Sequence, residues 1–318
     1  MAKFYTTDTL IESVKRKAML PSSTSTFQDA DFLAFANEEM DLGVVPLVMS
    51  FHEDYLMYTQ VVPLIPGIAR YEIPARAMGN KTRDIQYQDN SGIIFEMTRI
   101  MIEDVPYFQN GVVGPVSNSV RSFYLEGNEI VIASVSSTSN LSGNLRVSYY
   151  MRCGELVAES RSARITNINT VTGVITLDSW PSNFSSAPLI DFTAITSPHK
   201  LITFDIQPTA YGSTASPRIT VNLADIPLQL KVGDVVTNAE ETIIPQVPLE
   251  LHPMLAQRIA LRCLEALGDV QGLQAAAAKL QEMESKAGNI LDTRVEGAPF
   301  KIAPKHTFLR KSRIYMRR

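Results

Sequence analysis

Apolar residues recur at helical spacing near both ends of this chain and alternate at strand spacing between them. Near the start, Leu10, Ile11, Val14 and Ala18 share one face of a helix expected over residues 8–20. Asp8 or Thr7 can cap it, and Pro21 stands just past its end. After a short polar loop, Thr26 followed by Asp29 resembles a capping box with Asp in place of Glu. A second helix carries Phe32, Leu33, Phe35 and Ala36 and continues through Met40. Gly43 and Pro46 are expected to end or kink it before a third helical piece over residues 47–58. Near the other end, Leu251, Leu255 and Ile259 make an i, i+4 row continued by Leu261, Leu264 and Leu267. Gly268 stands where a terminating glycine is expected, and Asp269 is placed to cap the next helix, which carries Leu273, Leu280 and Ala287 at heptad spacing.

Between these ends, short β-rich runs are punctuated by Gly, Asn, Ser and Pro. Strands are expected over residues 69–74, 83–88, 145–150, 201–206, 218–223 and 232–237. Residues 123–132 and 163–177 read as hairpins turning at Gly127 and Gly173. Residues 136–143 and 182–187 read as exposed loops. The pattern predicts an α+β protein in which residues 1–60 and 247–292 form one helical bundle interrupted by a large antiparallel β region over 61–246. Gly154 opens a candidate joint between two smaller β units at residues 154–159.

Charge changes the picture at the C-terminal end. The chain of 318 residues holds 29 Lys+Arg and 33 Asp+Glu, for a net charge of −4. After Glu296 there is no acidic residue, while Lys301, Lys305, Arg310, Lys311, Arg313, Arg317 and Arg318 supply seven positive charges. Residues 1–296 therefore carry 22 basic against 33 acidic side chains, a net of −11 against +7 in the tail. Phe300, Ile302, Phe308, Leu309, Ile314, Tyr315 and Met316 are interleaved with those charges. Such apolar residues gain most by burial in a partner, so residues 293–318 are expected to form an extended basic arm.

Candidate chemistry adds little. Walker, GxGxxG, GxSxG and HExxH motifs are absent from the sequence, and His52, His199, His252 and His306 are far apart. No catalytic, cofactor-binding or metal-binding residue is expected. Glu38 and Glu39 invite a glycosidase reading, but that mechanism needs two carboxyls facing each other across a cleft, and adjacent helical glutamates are ordinarily surface charges. His52, Glu53 and Asp54 read as a solvated helix face. Arg258 and Arg262 could lower the thiol pKa of Cys263, with a buried helical cysteine as the plainer reading. Arg258, Arg262 and Glu265 suit a helix-surface ion network. Cys153 and Cys263 form no CxxC, so a reducing compartment is the default. No apolar run approaches the roughly 20 residues of a membrane span.

Several stretches together resemble the head-to-tail connector (adaptor, or neck ring) proteins of tailed bacteriophages. They are DTLIESVKRKA at residues 8–18, DFLAFANEEM at 31–40, YEIPARA at 71–77 and FYLEGN at 123–128. The pattern continues through IPQVPLELHP at 244–253, AQRIA at 256–260 and EALGD at 265–269. The resemblance implies a structural virion protein of the neck, assembled in the host cytoplasm as a ring of usually twelve copies between portal and tail. Its partners would be itself, the portal protein, tail or collar proteins, and the genomic DNA passing through its channel. The implied portal-binding arm carries Phe300, Phe308, Leu309, Arg310, Lys311, Arg313, Ile314, Tyr315 and Met316. Ring packing would fall on Leu255, Ile259, Leu273 and Leu280. A nucleic-acid-binding protein using the basic arm, or a cell-wall-cleaving virion enzyme using Glu38 or Glu39, are the alternatives.

Overall fold

A computed structural model of the chain describes residues 6–21, 26–106, 122–133, 142–184, 189–196 and 201–291. The expected arm, like the greater part of the 136–143 loop, lies outside the described residues. The fold is α+β. Helix α1 (Thr7–Lys17) is followed by α2 (Asp29–Glu39), a π-helical turn (Met40–Val44) and α3 (Val45–Phe51). Near the far end stand α4 (His252–Leu267) and α5 (Val270–Ile290). These five helices share one apolar core. Leu10, Val14, Phe32, Val44 and Val48 from the first set meet Leu255, Ile259, Ala260 and Cys263 from α4 and Ala287 from α5, all nearly excluded from solvent. Neither set could bury its apolar stripe alone, and most helical stability comes from such packing.

The helix ends follow local chemistry. Gly268 takes the left-handed conformation (φ 71°) that closes α4, and the Asp269 carboxylate accepts the Gly272 amide at 3.0 Å to open α5. The first helices differ from expectation in three ways. Thr6 precedes α1 at the cap position, and the reciprocal cap of α2 lies two residues later than expected, with the Asp31 carboxylate accepting the Gln28 amide at 2.8 Å. The α-helical run is interrupted at Gly43 and Pro46, as expected: a π-turn separates α2 from α3, and Pro46 sits in the first turn of α3, where its missing N–H costs nothing. The third helix also stops at Phe51, short of the expected residue 58. His52 leaves helical backbone (φ −128°, ψ 79°) and a short 3₁₀ turn (Glu53–Leu56) leads into the first strand, so the expected His52, Glu53 and Asp54 helix face does not exist.

The β region is two units. The first contains β1 (Met57–Pro63), β2 (Arg70–Glu72), β3 (Ala77–Gln88), β4 (Ile94–Glu96), β5 (Thr98–Arg99), β6 (Ser122–Glu126), β7 (Glu129–Ala133) and β8 (Asn144–Met151). They form two four-stranded sheets, ordered β1-β8-β3-β4 and β2-β7-β6-β5. Both sheets close on one core containing Tyr71, Ile85, Phe123, Ile130, Leu145 and Tyr149. The chain then passes through β9 (Glu155–Leu156), which falls inside the expected joint.

The second unit holds β10 (Ser162–Asn169), β11 (Val174–Leu177), β12 (Ile190–Thr193), β13 (Leu201–Ile206), β14 (Ala210–Ser213), β15 (Ser216–Thr220) and β16 (Val235–Asn238). They make one seven-stranded antiparallel sheet, ordered β13-β12-β16-β10-β11-β15-β14, on a separate core around Ile165, Ile175, Ile190, Phe192 and Ile219. The chain leaves by β17 (Glu241–Thr242), which pairs parallel with β9. Entry and exit of the second unit are therefore one narrow stem. Of these strands, pattern reading misses β12 and β14; in β12 all four residues are buried, so no alternation betrays it. No helix among the described residues is long and apolar enough to cross a membrane.

Leu255 is fully buried and Leu280 only half-buried on the same core. Leu255→Ala should lower unfolding free energy by about 2–5 kcal/mol in a denaturant titration, and Leu280→Ala should cost clearly less. Equal losses would mean that α5, not α4, centres the core.

Candidate functional site

The helical core, the first β unit and the stem meet at one place, lined by Asn37, Asp41, Arg76, Arg152, Glu155 and Glu240. The second unit is tied to the same place by charge. Two features build the meeting point: a clamp on α2 and, between the β units, an ion triad of which Arg76 and Asp191 are buried.

The clamp begins at Asn37. Its side-chain amide donates to the Leu156 carbonyl at 3.2 Å and accepts the Leu156 amide at 2.7 Å. A helical side chain thus serves as a strand partner for β9, and Leu156 is carried into the helical core. Two residues on, Glu39 is buried and accepts from Arg258 at 3.1 Å and Arg262 at 2.7 Å, both on α4. Arg258 also pairs with Glu284 of α5 and Arg262 with Glu38. Hydrogen bonds and charge from Glu39 hold the Arg262 guanidinium above its ordinary range. The missing side chain of Gly43 makes room for this network, because a Cβ there would fall 2.6 Å from Arg258 Nη1. The network expected along α4 is real between Arg262 and Glu265 (3.8 Å), but its tighter bonds reach across to α2. Glu38 and Glu39 both point at arginines, which is not how a cleft carboxylate pair is arranged.

The triad joins the two β units. Arg76, in the turn before β3, is 4% exposed and Asp191 on β12 is 1% exposed. Arg76 donates to Asp191 in bidentate fashion at 2.8 and 2.9 Å and to Asp205 of β13 at 2.6 and 3.1 Å, with its guanidinium 4.9 Å from the Phe204 ring centre. Asp191 also accepts the backbone amides of Asp205 and Glu240, each at 3.0 Å. Those two residues have left-handed backbone (φ 55° and 67°), a conformation non-glycine residues take only when the surroundings impose it. Burial opposes the charge on Arg76, but hydrogen bonds and charge from Asp191 and then Asp205 outweigh it and hold the guanidinium above its ordinary range. Burial pushes the Asp191 carboxyl up, against the pull of Arg76 and the two amides.

Beside the triad lies a cavity of about 300 Å³ bordered by Asn37, Asp41, Arg152, Cys153, Glu155 and Glu240. Burial first, then the Asp41 charge, pushes the Cys153 thiol up to about 12. On α4, burial pushes the Cys263 thiol up to about 11, so Arg258 and Arg262 do not activate it. Among the described residues no group of His, Cys, Asp or Glu could hold a metal ion. His252 is fully buried, with Nε2 placed 3.2 Å from both the Pro245 and Val247 carbonyls, a structural role at the start of α4.

The residues expected to pack a ring divide. Leu255 (0% exposed) and Ile259 (1%) point into the subunit's own core and cannot meet a neighbour, because the α1 and α2 side chains already cover them. Leu273 and Leu280 pack on that core from α5 and keep part of their surface free. Phe300, Phe308, Leu309, Arg310, Lys311, Arg313, Ile314, Tyr315 and Met316 lie outside the described residues. Arg76, Asp191 and Asn37 were not singled out from sequence. A carboxylate between Ile190 and Phe192 was the one signal that could have flagged Asp191. The sequence matches no protein-family model and no curated protein.

Asp191→Asn removes the charge that Arg76 and two amides are built around. It should cost about 3–5 kcal/mol of stability by denaturant unfolding, as breaking a buried pair does; a loss below about 1 kcal/mol would show that the triad is dispensable. Both thiols should resist a disulfide-exchange reagent at pH 8 in the native protein and react fully once unfolded. Fast native labelling of either would contradict the raised pKa values.

Proposed function

We propose that this chain is a structural subunit of a tailed-phage neck, a head-to-tail connector that forms a ring between portal and tail and lines the channel through which DNA leaves. The single observation that carries the reading is the division of charge: −11 over residues 1–296 and +7, with interleaved aromatic and aliphatic anchors, over the last 22 residues. An acidic body suits a channel that phosphate must pass without sticking. A basic segment with apolar anchors suits capture by an acidic, pocketed partner, here the portal. The resemblance over residues 8–18, 31–40 and 244–269 supports the same assignment and implies about twelve copies. Tail or collar proteins would meet the β units.

In this reading each terminal arm binds weakly alone, and a ring of arms binds tightly because the second and later contacts are intramolecular. Removing residues 300–318 should leave a folded subunit that no longer co-sediments with portal particles or DNA-filled heads. Replacing Arg310, Lys311 and Arg313 with Gln should slow association, and replacing Phe308, Leu309, Ile314 and Tyr315 with Ser should weaken binding more. Full retention of the truncated protein on portal particles would overturn the reading. The basic arm also favours a second reading, direct binding to nucleic acid. Retention on naked DNA with a steep loss on adding salt, and none on portal, would select it.

A further inference from the structure

The first β unit carries a projection and a groove of complementary chemistry, side by side. After β5 the Ile100 amide bonds the Phe123 carbonyl at 2.9 Å, and the chain then turns out of the sheet, closed by a bond from the Asp104 amide to the Met101 carbonyl at 3.1 Å. The four residues of that turn all face solvent: Met101 is 71% exposed, Ile102 is 52% exposed, and Glu103 and Asp104 are exposed beside them. Two adjacent large apolar side chains held out in water, flanked by two carboxylates, are an unusual surface for a subunit that stands alone. Next to the turn, between β3 and the β5–β6 edge, lies a cavity of about 390 Å³. Met97, Phe123 and Leu125 form its apolar side, and Lys81, Arg83 and Arg99 stand over it. Arg83 is paired with Asp54 at 2.7 Å, and Asp84, which also borders the groove, accepts the Gln86 side-chain amide at 2.7 Å. Lys81 and Arg99 are exposed and enter no salt bridge among the described residues.

We propose that the Met101–Asp104 turn of one copy of this chain inserts into the Lys81/Arg99 groove of a second copy. Met101 and Ile102 would cover the apolar side, and Glu103 and Asp104 would pair with Lys81 and Arg99. In each copy the turn stands beside its own groove and not in it, and a second copy carries a matching turn whose carboxylates are opposite in charge to Lys81 and Arg99. Each copy then gives one turn and receives one, and a ring closes where the two contacts are made with different neighbours. The inference rests on the reading that copies of this chain meet, and requires nothing of the portal.

The test uses the full chain and measures molar mass against concentration by sedimentation velocity at low salt. Three samples are compared: the native protein, the groove variant Lys81→Glu/Arg99→Glu, and the turn variant Glu103→Lys/Asp104→Lys. All substituted residues are exposed, so each variant should keep the native circular dichroism and melting curve. Native protein should associate, and each variant alone should associate at least about tenfold more weakly, because like charges then face each other. Mixing the two variants restores opposite charges at every contact and should restore association. Native protein that stays monomeric, variants that associate as well as native, or a mixture that fails to recover would each overturn the contact. Recovery of a two-copy assembly only would keep the pairing of turn and groove and overturn the ring.

Discussion

Burial of α4 is the constraint on which the rest of the structure depends. This helix lies between α1 and α2 from one end of the chain and α5 from the other, and its Leu255, Ala256, Ile259, Ala260 and Cys263 are all shut away from water. Each large buried side chain contributes on the order of 1.5–3 kcal/mol before entropy, so both sets of helices contribute to the stability of the one core they share. Everything between them must leave and return without prising the ends apart. The parallel β9–β17 pair, held on α2 by Asn37, meets that requirement: residues 162–238 depart and come back through two adjacent backbone strands.

Where the β units meet, charge sets the geometry. A buried ion pair loses in desolvation much of what it gains in attraction, so the Arg76–Asp191 contact is weak evidence for net stability. Its directional content is large. A bidentate guanidinium on one unit and a carboxylate fixed by two left-handed backbone residues on the other fit in one relative placement. An apolar patch of the same area would tolerate sliding. The same logic holds at the π-turn, where Glu39 receives two arginines of α4 and fixes the rotation of α2 against it.

These internal charge contacts also sort the surface. Residues that sequence patterns offer as assembly contacts, Leu255 and Ile259, are consumed by the subunit's own core. The apolar residues left in water sit on both parts of the fold, among them Met19 and Leu42 on the helical side and Met101 on the first β unit.

Local chemistry by itself determined the elements with a repeating period or a special backbone. The α4–α5 corner was legible in Gly268 and Asp269, the β10–β11 hairpin in its turn at Gly173, and the joint in the run after Gly154, because each depends on residues close in sequence. The charge division between body and arm needed nothing but counting. What tertiary structure decided was every contact between residues far apart: Asn37 with Leu156, Glu39 with Arg262, Arg76 with Asp191. Each pairs ordinary surface-type residues, and nothing in a local window distinguishes a guanidinium that will be buried from one that stays in water. Strand β12 was hidden for the related reason that burial on both faces erases the alternation by which strands are read. Leu255 was legible as part of an apolar stripe; such a stripe announces that it will be covered, and only the packed fold says by what.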